Sequence, residues 1–134
     1  MNTIVNEYRY KTVMVIDDSE SDRYIAAYYL KKYNISSNII SFENAAEALK
    51  YLQQSAAAQE ELPSIIFLDI RMPVMDGFEF LQHFEQLPSH VHEACTIVMI
   101  SSSVDPIDHA RIKINPYVTR FISKPLNKES LKDI

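Results

Sequence analysis

The chain has one glycine and one cysteine among its 134 residues, and it has no apolar run long enough to cross a membrane. Loops that bind the phosphates of ATP, GTP or dinucleotides need several closely spaced glycines, so the lone Gly77 argues against those ligands. Cys95 cannot form an internal disulfide bond, which fits a reducing, cytoplasmic location. Because Cys95 opens an apolar run, we interpret it as a small core residue.

Positive charge is also scarce, since the formal net charge is -5. This balance disfavours nonspecific binding to nucleic acid or anionic membrane, and we expect no direct contact with either. The N-terminal segment Met1–Lys11 is polar and mixed in charge, unlike a signal peptide. The length suits one domain over residues 1–134, with a polar tail over about residues 1–10.

Short apolar runs alternate with segments of helical periodicity. Strands are predicted at residues 12–17, 38–42, 64–68, 96–100 and 119–123, and helices begin near Ser19, Asn44, Gly77, Asp105 and Asn127. The helix after Asp105 is predicted to turn Ile107, Ala110 and Ile114 toward the core, residues 88–93 form a polar connection, and the final helix is short or truncated. This alternation predicts a parallel sheet with helices on both faces.

A polar residue follows four of the predicted strands. Asp17 and Asp18 follow the first strand, Asp69 the third, Ser101 the fourth and Lys124 the fifth. Parallel strands end at the same edge of their sheet, and such sheets bind ligands beyond that edge. We therefore expect these side chains to meet in one acidic pocket that contains a fixed cation.

At these residues the chain resembles the receiver domain of bacterial two-component response regulators. The resemblance rests on Asp17-Asp18, on Asp-x-x-Met-Pro-x-Met-Asp-Gly from Asp69 to Gly77, on Ser101, and on residues 121–125, and it covers essentially the whole chain. It implies a CheY-like, single-domain regulator. Its fold would be flavodoxin-like, a doubly wound five-stranded parallel sheet of order 2-1-3-4-5.

The resemblance also implies a chemistry for the acidic pocket. Asp69 would accept a phosphoryl group from the phosphohistidine of a histidine kinase or a histidine phosphotransfer protein. Asp17, Asp18, Asp69 and the backbone carbonyl of Arg71 would bind Mg²⁺, with Mn²⁺ as an alternative ion. Oxygen ligands suit such a hard cation, and the ion would offset the negative charge of the phosphoryl group.

Further residues would respond to the phosphoryl group. By resemblance, Lys124 would pair with its oxygens, and a cis Lys124–Pro125 bond would aim the ammonium into the pocket. Ser101 would form a hydrogen bond with the phosphoryl group. Phe121 would be the aromatic switch that turns inward as Ser101 moves; the alternative interpretation is a plain core phenylalanine.

Two residues depart from the family pattern and suggest a hypothesis about phosphate lifetime. Arg71 and Ser103 occupy positions that flank the path of the attacking water in the family. A long cationic side chain at Arg71 could shield the acyl phosphate or change its hydrolysis rate. Ser102 and Ser103 directly follow Ser101, so the register has alternatives, but Ser101 fits best because it ends the apolar run.

Phosphorylation is expected to bias a two-state domain whose output face spans Asp105–Leu131 and contacts a downstream protein. The protein would be a monomer or a weak, phosphorylation-dependent dimer, and it would catalyse only its own phosphorylation and dephosphorylation. A haloacid dehalogenase-type phosphatase would need a second aspartate where this chain has Arg71. A receiver-like module that binds partners without phosphorylation is the other alternative.

Overall fold

The computed structural model describes residues 7–134 as a five-stranded parallel sheet in the spatial order β2-β1-β3-β4-β5. The strands are β1 (Thr12–Ile16), β2 (Asn38–Phe42), β3 (Ile65–Asp69), β4 (Thr96–Ser101) and β5 (Val118–Ser123). Every residue of β1 and β3 is buried, as expected where helices cover both faces of a parallel sheet. The predicted fold and strand order are therefore confirmed.

Within residues 7–134, six helices connect or follow the strands. They are α1 (Glu20–Lys32), α2 (Ala45–Ala57), α3 (Gly77–Glu85), α4 (Ser89–Ala94), α5 (Pro106–Ile114) and α6 (Lys128–Leu131). The predicted caps are present: the side chain of Ser19 accepts a hydrogen bond from the Asp22 amide, and that of Asn44 accepts one from the Glu47 amide. The Ser19 cap fixes where α1 begins, directly beyond the end of β1 that carries Asp17 and Asp18, and the Asn44 cap fixes where α2 begins after β2.

The core lies in two layers, one on each face of the sheet. Residues of α2, α3, α4 and α5 pack on one face against Met14, Ile66 and other inward side chains, and residues of α1 and α6 pack on the other face against Val13, Ile65 and their neighbours. Successive strand residues alternate between these layers because side chains of a strand point to opposite faces. Packing on both faces fixes the central strands in place. It thereby also fixes the positions of the polar residues at their ends.

The segment predicted as a polar connection contains a helix instead. Residues Ser89–Ala94 form α4, and Val91 is the one member of this helix that is buried. Two apolar residues in six, Val91 and Ala94, are too few to produce a helical pattern in the sequence. The helix forms because Val91 joins the core layer of α2 and α3.

The prediction for the buried side of α5 was wrong. Ile107 and Ile114 are 68% and 82% exposed and Ala110 is exposed as well, whereas Asp108 and Ile112 are buried. The rotation of this helix follows its polar contacts rather than its apolar pattern, because the Asp108 carboxylate pairs with two side chains beneath the helix. A buried carboxylate must keep such partners to offset its loss of water.

Within residues 7–134, no helix has the length and apolar character needed to span a membrane. Most of the predicted polar tail falls in residues 1–6, outside the described residues. At Arg9 and Tyr10 the backbone amides donate to the carbonyl oxygens of Asn34 and Ile35.

Candidate functional site

The predicted polar residues converge beyond the carboxyl ends of the strands. Asp17 and Asp69 are buried at the ends of β1 and β3, and one carboxylate oxygen from each of Asp17, Asp18 and Asp69 lies within 4.8 Å of the others. Ser101 closes β4, pairs in register with Ser123 of β5, and accepts a backbone hydrogen bond from the Lys124 amide at 2.9 Å. The topology thus brings four segments of the chain to one pocket.

Lys124 is the cation that contacts the carboxylates of this pocket. Its Nζ lies 2.8 Å from Oδ2 of Asp17, 2.8 Å from Oδ2 of Asp22 and 3.3 Å from Oδ1 of Asp69. The following Lys124–Pro125 peptide bond is cis, as the resemblance implied. Asp22, on α1, was not predicted as a member of the site, because its position in the sequence indicated only a helix-cap neighbour.

The charges of the pocket perturb one another. Burial, together with the negative charge of Asp17, raises the pKa of Asp69 from 3.8 to about 6. Burial on its own would lower the pKa of Lys124, but its contacts with Asp17 and Asp22 and the charge of Asp69 outweigh burial, so this pKa is raised. Lys124 therefore stays protonated at neutral pH, while Asp69 is a carboxylate that is costly to ionise.

The donors of the pocket fit a hard divalent cation. Asp17, Asp18 and Asp69 offer only oxygen, the ligand that Mg²⁺ prefers. Oδ2 of Asp17 is fully buried and, among the described residues, accepts no hydrogen bond, since its contact with Lys124 is an ion pair without hydrogen-bond geometry. The charge of this buried oxygen is offset by the Lys124 ammonium alone, and a bound divalent cation would offset it further.

Ser101 and Ser103 organise the loop between β4 and α5. The hydroxyl of Ser101 is buried and accepts a hydrogen bond from the Ser103 amide at 3.0 Å. The Ser103 hydroxyl donates to Oδ2 of Asp108 at 2.8 Å and accepts from the Asp105 amide at 3.2 Å. The two serines are thus held by different partners, and Ser101 is the one at the strand end.

Arg71 extends from the loop after β3 to the start of α5, where its guanidinium forms an ion pair with Asp108. Asp108 was absent from the predicted site. A lone aspartate in a helical segment carries no signal in the sequence, and the pattern of Ile107, Ala110 and Ile114 suggested a different buried face.

Phe121 lies at the predicted position on β5 and is half-buried. Its ring packs at a tilt against the ring of His109 on α5, with 4.6 Å between the ring centroids. Nε2 of His109 forms a hydrogen bond with the carbonyl oxygen of Ser103 at 3.0 Å. Phe121 therefore contacts the same loop that carries Ser101, through one intervening side chain.

Similarity to known proteins agrees with this geometry. The sequence pattern of the response regulator receiver domain family matches residues 13–134. The chain is 31% identical over 119 residues to Protein PilG of Pseudomonas aeruginosa. The aligned region covers 89% of this chain and 80% of PilG. It is 28% identical over 127 residues to histidine kinase CKI1 of Arabidopsis thaliana, which covers 90% of this chain but only 11% of that protein.

Solved structures show the same architecture. A two-component response regulator from Cytophaga hutchinsonii superposes with a TM-score of 0.85 at 28% identity, covering 93% of each chain. The chain belongs to the response regulator receiver domain family, the CheY-like signalling domains of two-component systems. Receivers occur both as small regulators and as parts of far longer proteins, and this chain spans about a tenth of the length of CKI1.

Proposed function

We propose that this receiver accepts a phosphoryl group at Asp69 from the phosphohistidine of a histidine kinase or a histidine phosphotransfer protein. The observation that carries the proposal is the convergence of three carboxylates and Lys124 on one pocket, with Asp69 at its centre. An Asp69 oxygen forms a bond to phosphorus as the phosphorus–nitrogen bond of the donor breaks. The bonding electrons return to the imidazole nitrogen of the donor, and the carboxylate needs no proton removed before it attacks.

Asp17, Asp18, Asp69 and the backbone carbonyl of Arg71 would hold Mg²⁺, or Mn²⁺ in its place. When bound, the ion supplies positive charge that offsets the charge of the phosphoryl oxygens during transfer. The pocket supports this role electrostatically, because the carboxylates of Asp17, Asp18, Asp22 and Asp69 outnumber the two nearby cations, the Lys124 ammonium and the Arg23 guanidinium that donates to the Asp17 carbonyl oxygen. Without added positive charge, that excess would repel an incoming phosphate.

Lys124 would keep its ammonium in the pocket and form an ion pair with the phosphoryl oxygens after transfer. It is already held 3.3 Å from Asp69, so little motion is required. Ser101, whose hydroxyl accepts a hydrogen bond from the Ser103 amide, would move to donate its O–H to the phosphoryl group. Phe121 would then turn inward, since the loop that carries Ser101 also sets the position of His109 against its ring.

The output face would be Asp105–Leu131, formed by α5, β5 and α6. Its α5 part presents Ile107 and Ile114 to solvent, and a groove of about 300 Å³ between α5 and β5 is lined by His109, Phe121 and their neighbours. Exposed apolar side chains beside the switch residue suit a surface that binds a downstream protein when the switch moves. A weak, phosphorylation-dependent dimer would use this same face.

The cytoplasm is the compartment that we propose for this transfer. The single thiol belongs to Cys95, which is buried, and burial raises its pKa to about 12, so the thiol is an inert part of the core. Like other receivers, the domain would act as a signalling element whose own catalysis is limited to gaining and losing its phosphoryl group.

Incubation with acetyl phosphate and Mg²⁺, followed by intact-mass analysis, tests the proposal. We expect one phosphoryl group on the wild-type protein, none on Asp69→Asn, and loss of labelling when EDTA removes the ion. A protein that gains no phosphate while folded would overturn the proposal and favour the receiver-like module that binds partners without phosphorylation. Labelling that persists in Asp69→Asn would show a different acceptor.

A further inference from the structure

The carboxylate of Asp108 is buried on the inner side of α5 and is the anion that pairs with Arg71. Asp108 is 3% exposed, whereas the Arg71 side chain is 60% exposed. A single oxygen, Oδ2 of Asp108, contacts both Nη2 of Arg71 and the hydroxyl of Ser103. A buried carboxylate that loses its guanidinium partner destabilises the folded protein strongly. The ion pair between Asp108 and Arg71 is therefore expected to be formed most of the time.

Arg71 also lies two residues after Asp69 in the chain. Its guanidinium is therefore close enough to bind a second anion attached to Asp69. Within residues 7–134, the ion pair formed by Arg71 is with Asp108, and none within 4 Å joins it to Asp69. A phosphoryl group on Asp69 would present a second set of anionic oxygens, which the planar, multiply donating guanidinium binds well. Asp108 and the phosphoryl group would then compete for one cation.

We propose that Asp108 is a positioning residue that holds Arg71 against α5 and thereby keeps the aspartyl phosphate short-lived. The inference rests on the proposed phosphorylation of Asp69. Whenever Arg71 leaves Asp108, its side chain covers the phosphoryl oxygens and blocks water; while the ion pair lasts, the phosphorus is accessible. The balance between these two partners of Arg71 sets the phosphate lifetime.

The step that this balance controls is hydrolysis of the acyl phosphate. A water oxygen forms a bond to phosphorus while the bond from phosphorus to the Asp69 oxygen breaks, and its electrons remain on the carboxylate. One proton of the water stays on the released phosphate and the other passes to solvent. Access of that water to phosphorus is the variable that Arg71 changes.

Two substitutions should move the lifetime in opposite directions. Asp108→Asn has the same shape and still accepts the Ser103 hydrogen bond, but it lacks the charge, so Arg71 is released and the phosphoprotein should decay several-fold more slowly. Arg71→Ala removes the shield altogether, so decay should be faster than in the wild type, but only modestly, because Arg71 spends most of its time on Asp108. The double variant should decay like Arg71→Ala alone, because Asp108 acts through Arg71.

The experiment loads each variant with acetyl phosphate and Mg²⁺, removes both by rapid desalting, and follows decay by intact mass. Asp108→Glu should restore decay toward the wild-type rate, which a merely structural role would not require. Ile112→Val is the matched control: it trims a buried side chain of α5 without touching Arg71 and should leave decay unchanged.

The outcomes separate this inference from the function on which it rests. If no variant is labelled, both fail together. If the wild type is labelled but Asp108→Asn decays at the same rate, or if the slowing survives in the double variant, the positioning role is overturned while phosphorylation stands. If Asp108→Asn is unfolded by circular dichroism, Arg71→Ala decides the matter, and decay slower than that of the wild type overturns the proposal.

Discussion

The backbone of Gly77 lies against that of Asp69. A Cβ atom built on Gly77 would be 2.5 Å from the Asp69 carbonyl oxygen and 3.1 Å from Cα of Ile70. The Gly77 amide also donates a hydrogen bond to the Ile70 carbonyl oxygen at 2.8 Å. The only glycine of the chain is therefore the point at which α3 packs directly on the strand end that carries the proposed phosphoacceptor.

Gly77→Ala should consequently destabilise the protein by about 1–3 kcal/mol, because the clash is with backbone that cannot rotate away. Urea unfolding followed by circular dichroism measures this loss. Gln82→Ala, an exposed position on the same helix, is the control and should change the free energy of unfolding little. Unchanged stability of Gly77→Ala would mean that α3 can shift freely relative to β3.

The raised pKa of Asp69 predicts how stability depends on pH. In the folded, metal-free protein this pKa is about 6, against an ordinary value of 3.8. Between these values the folded state binds more protons than the unfolded state, so stability falls as pH rises from about 4 to about 6. Asp69→Asn removes that penalty and should increase the free energy of unfolding by about 1–3 kcal/mol in EDTA at about pH 7.5.

The gain from Asp69→Asn should shrink as the pH is lowered, because the wild-type carboxyl becomes neutral as well. Urea titrations at several pH values in EDTA provide the measurement. A gain that is constant between about pH 4 and about pH 7.5 would show that Asp69 has an ordinary pKa and that the variant acts by packing.

Lys124 contacts the oxygens that we assign to the metal ion, so it should oppose metal binding. Lys124→Met keeps much of the side-chain bulk and removes the charge beside Asp17 and Asp69. We expect Mg²⁺ to bind roughly tenfold more tightly, about 1.4 kcal/mol, because one like charge has left a partly buried pocket. Isothermal titration calorimetry measures the affinity, with Lys128→Met, an exposed lysine, as the control. Equal Mg²⁺ affinity of the wild type and Lys124→Met would contradict the interpretation that Lys124 and the ion share carboxylate oxygens.

The sequence predicts site residues at strand ends better than site residues on helices. Asp17, Asp69, Ser101 and Lys124 each end an apolar strand, and parallel topology alone brings strand ends together. Asp22 and Asp108 lie on helices, where the sequence shows a turn-by-turn pattern but not the rotation of the helix about its axis.

The α5 helix shows why that rotation could not be predicted. Its apolar residues Ile107 and Ile114 indicated one buried side, yet both are exposed. The helix instead buries Ile112 in the core and, on the same side, Asp108, whose contacts with Arg71 and Ser103 offset the desolvation of its carboxylate. Tertiary polar contacts of this kind have no periodicity to detect.

The link from Ser101 to Phe121 leads to a test of the proposed switch. In the unphosphorylated protein the Ser101 hydroxyl is occupied by the Ser103 amide, and His109 joins the Ser103 carbonyl to the Phe121 ring. Acetyl phosphate with Mg²⁺ should therefore shift the Phe121 ring signals in NMR spectra of the wild type. In Ser101→Ala, Asp69 should still be labelled but these signals should stay near their unphosphorylated positions, because the loop has lost the group that binds the phosphoryl oxygens. If the ring signals of labelled Ser101→Ala shift as far as those of the wild type, Phe121 responds to phosphorylation by a route other than Ser101, and the loop between β4 and α5 is not the element that couples them.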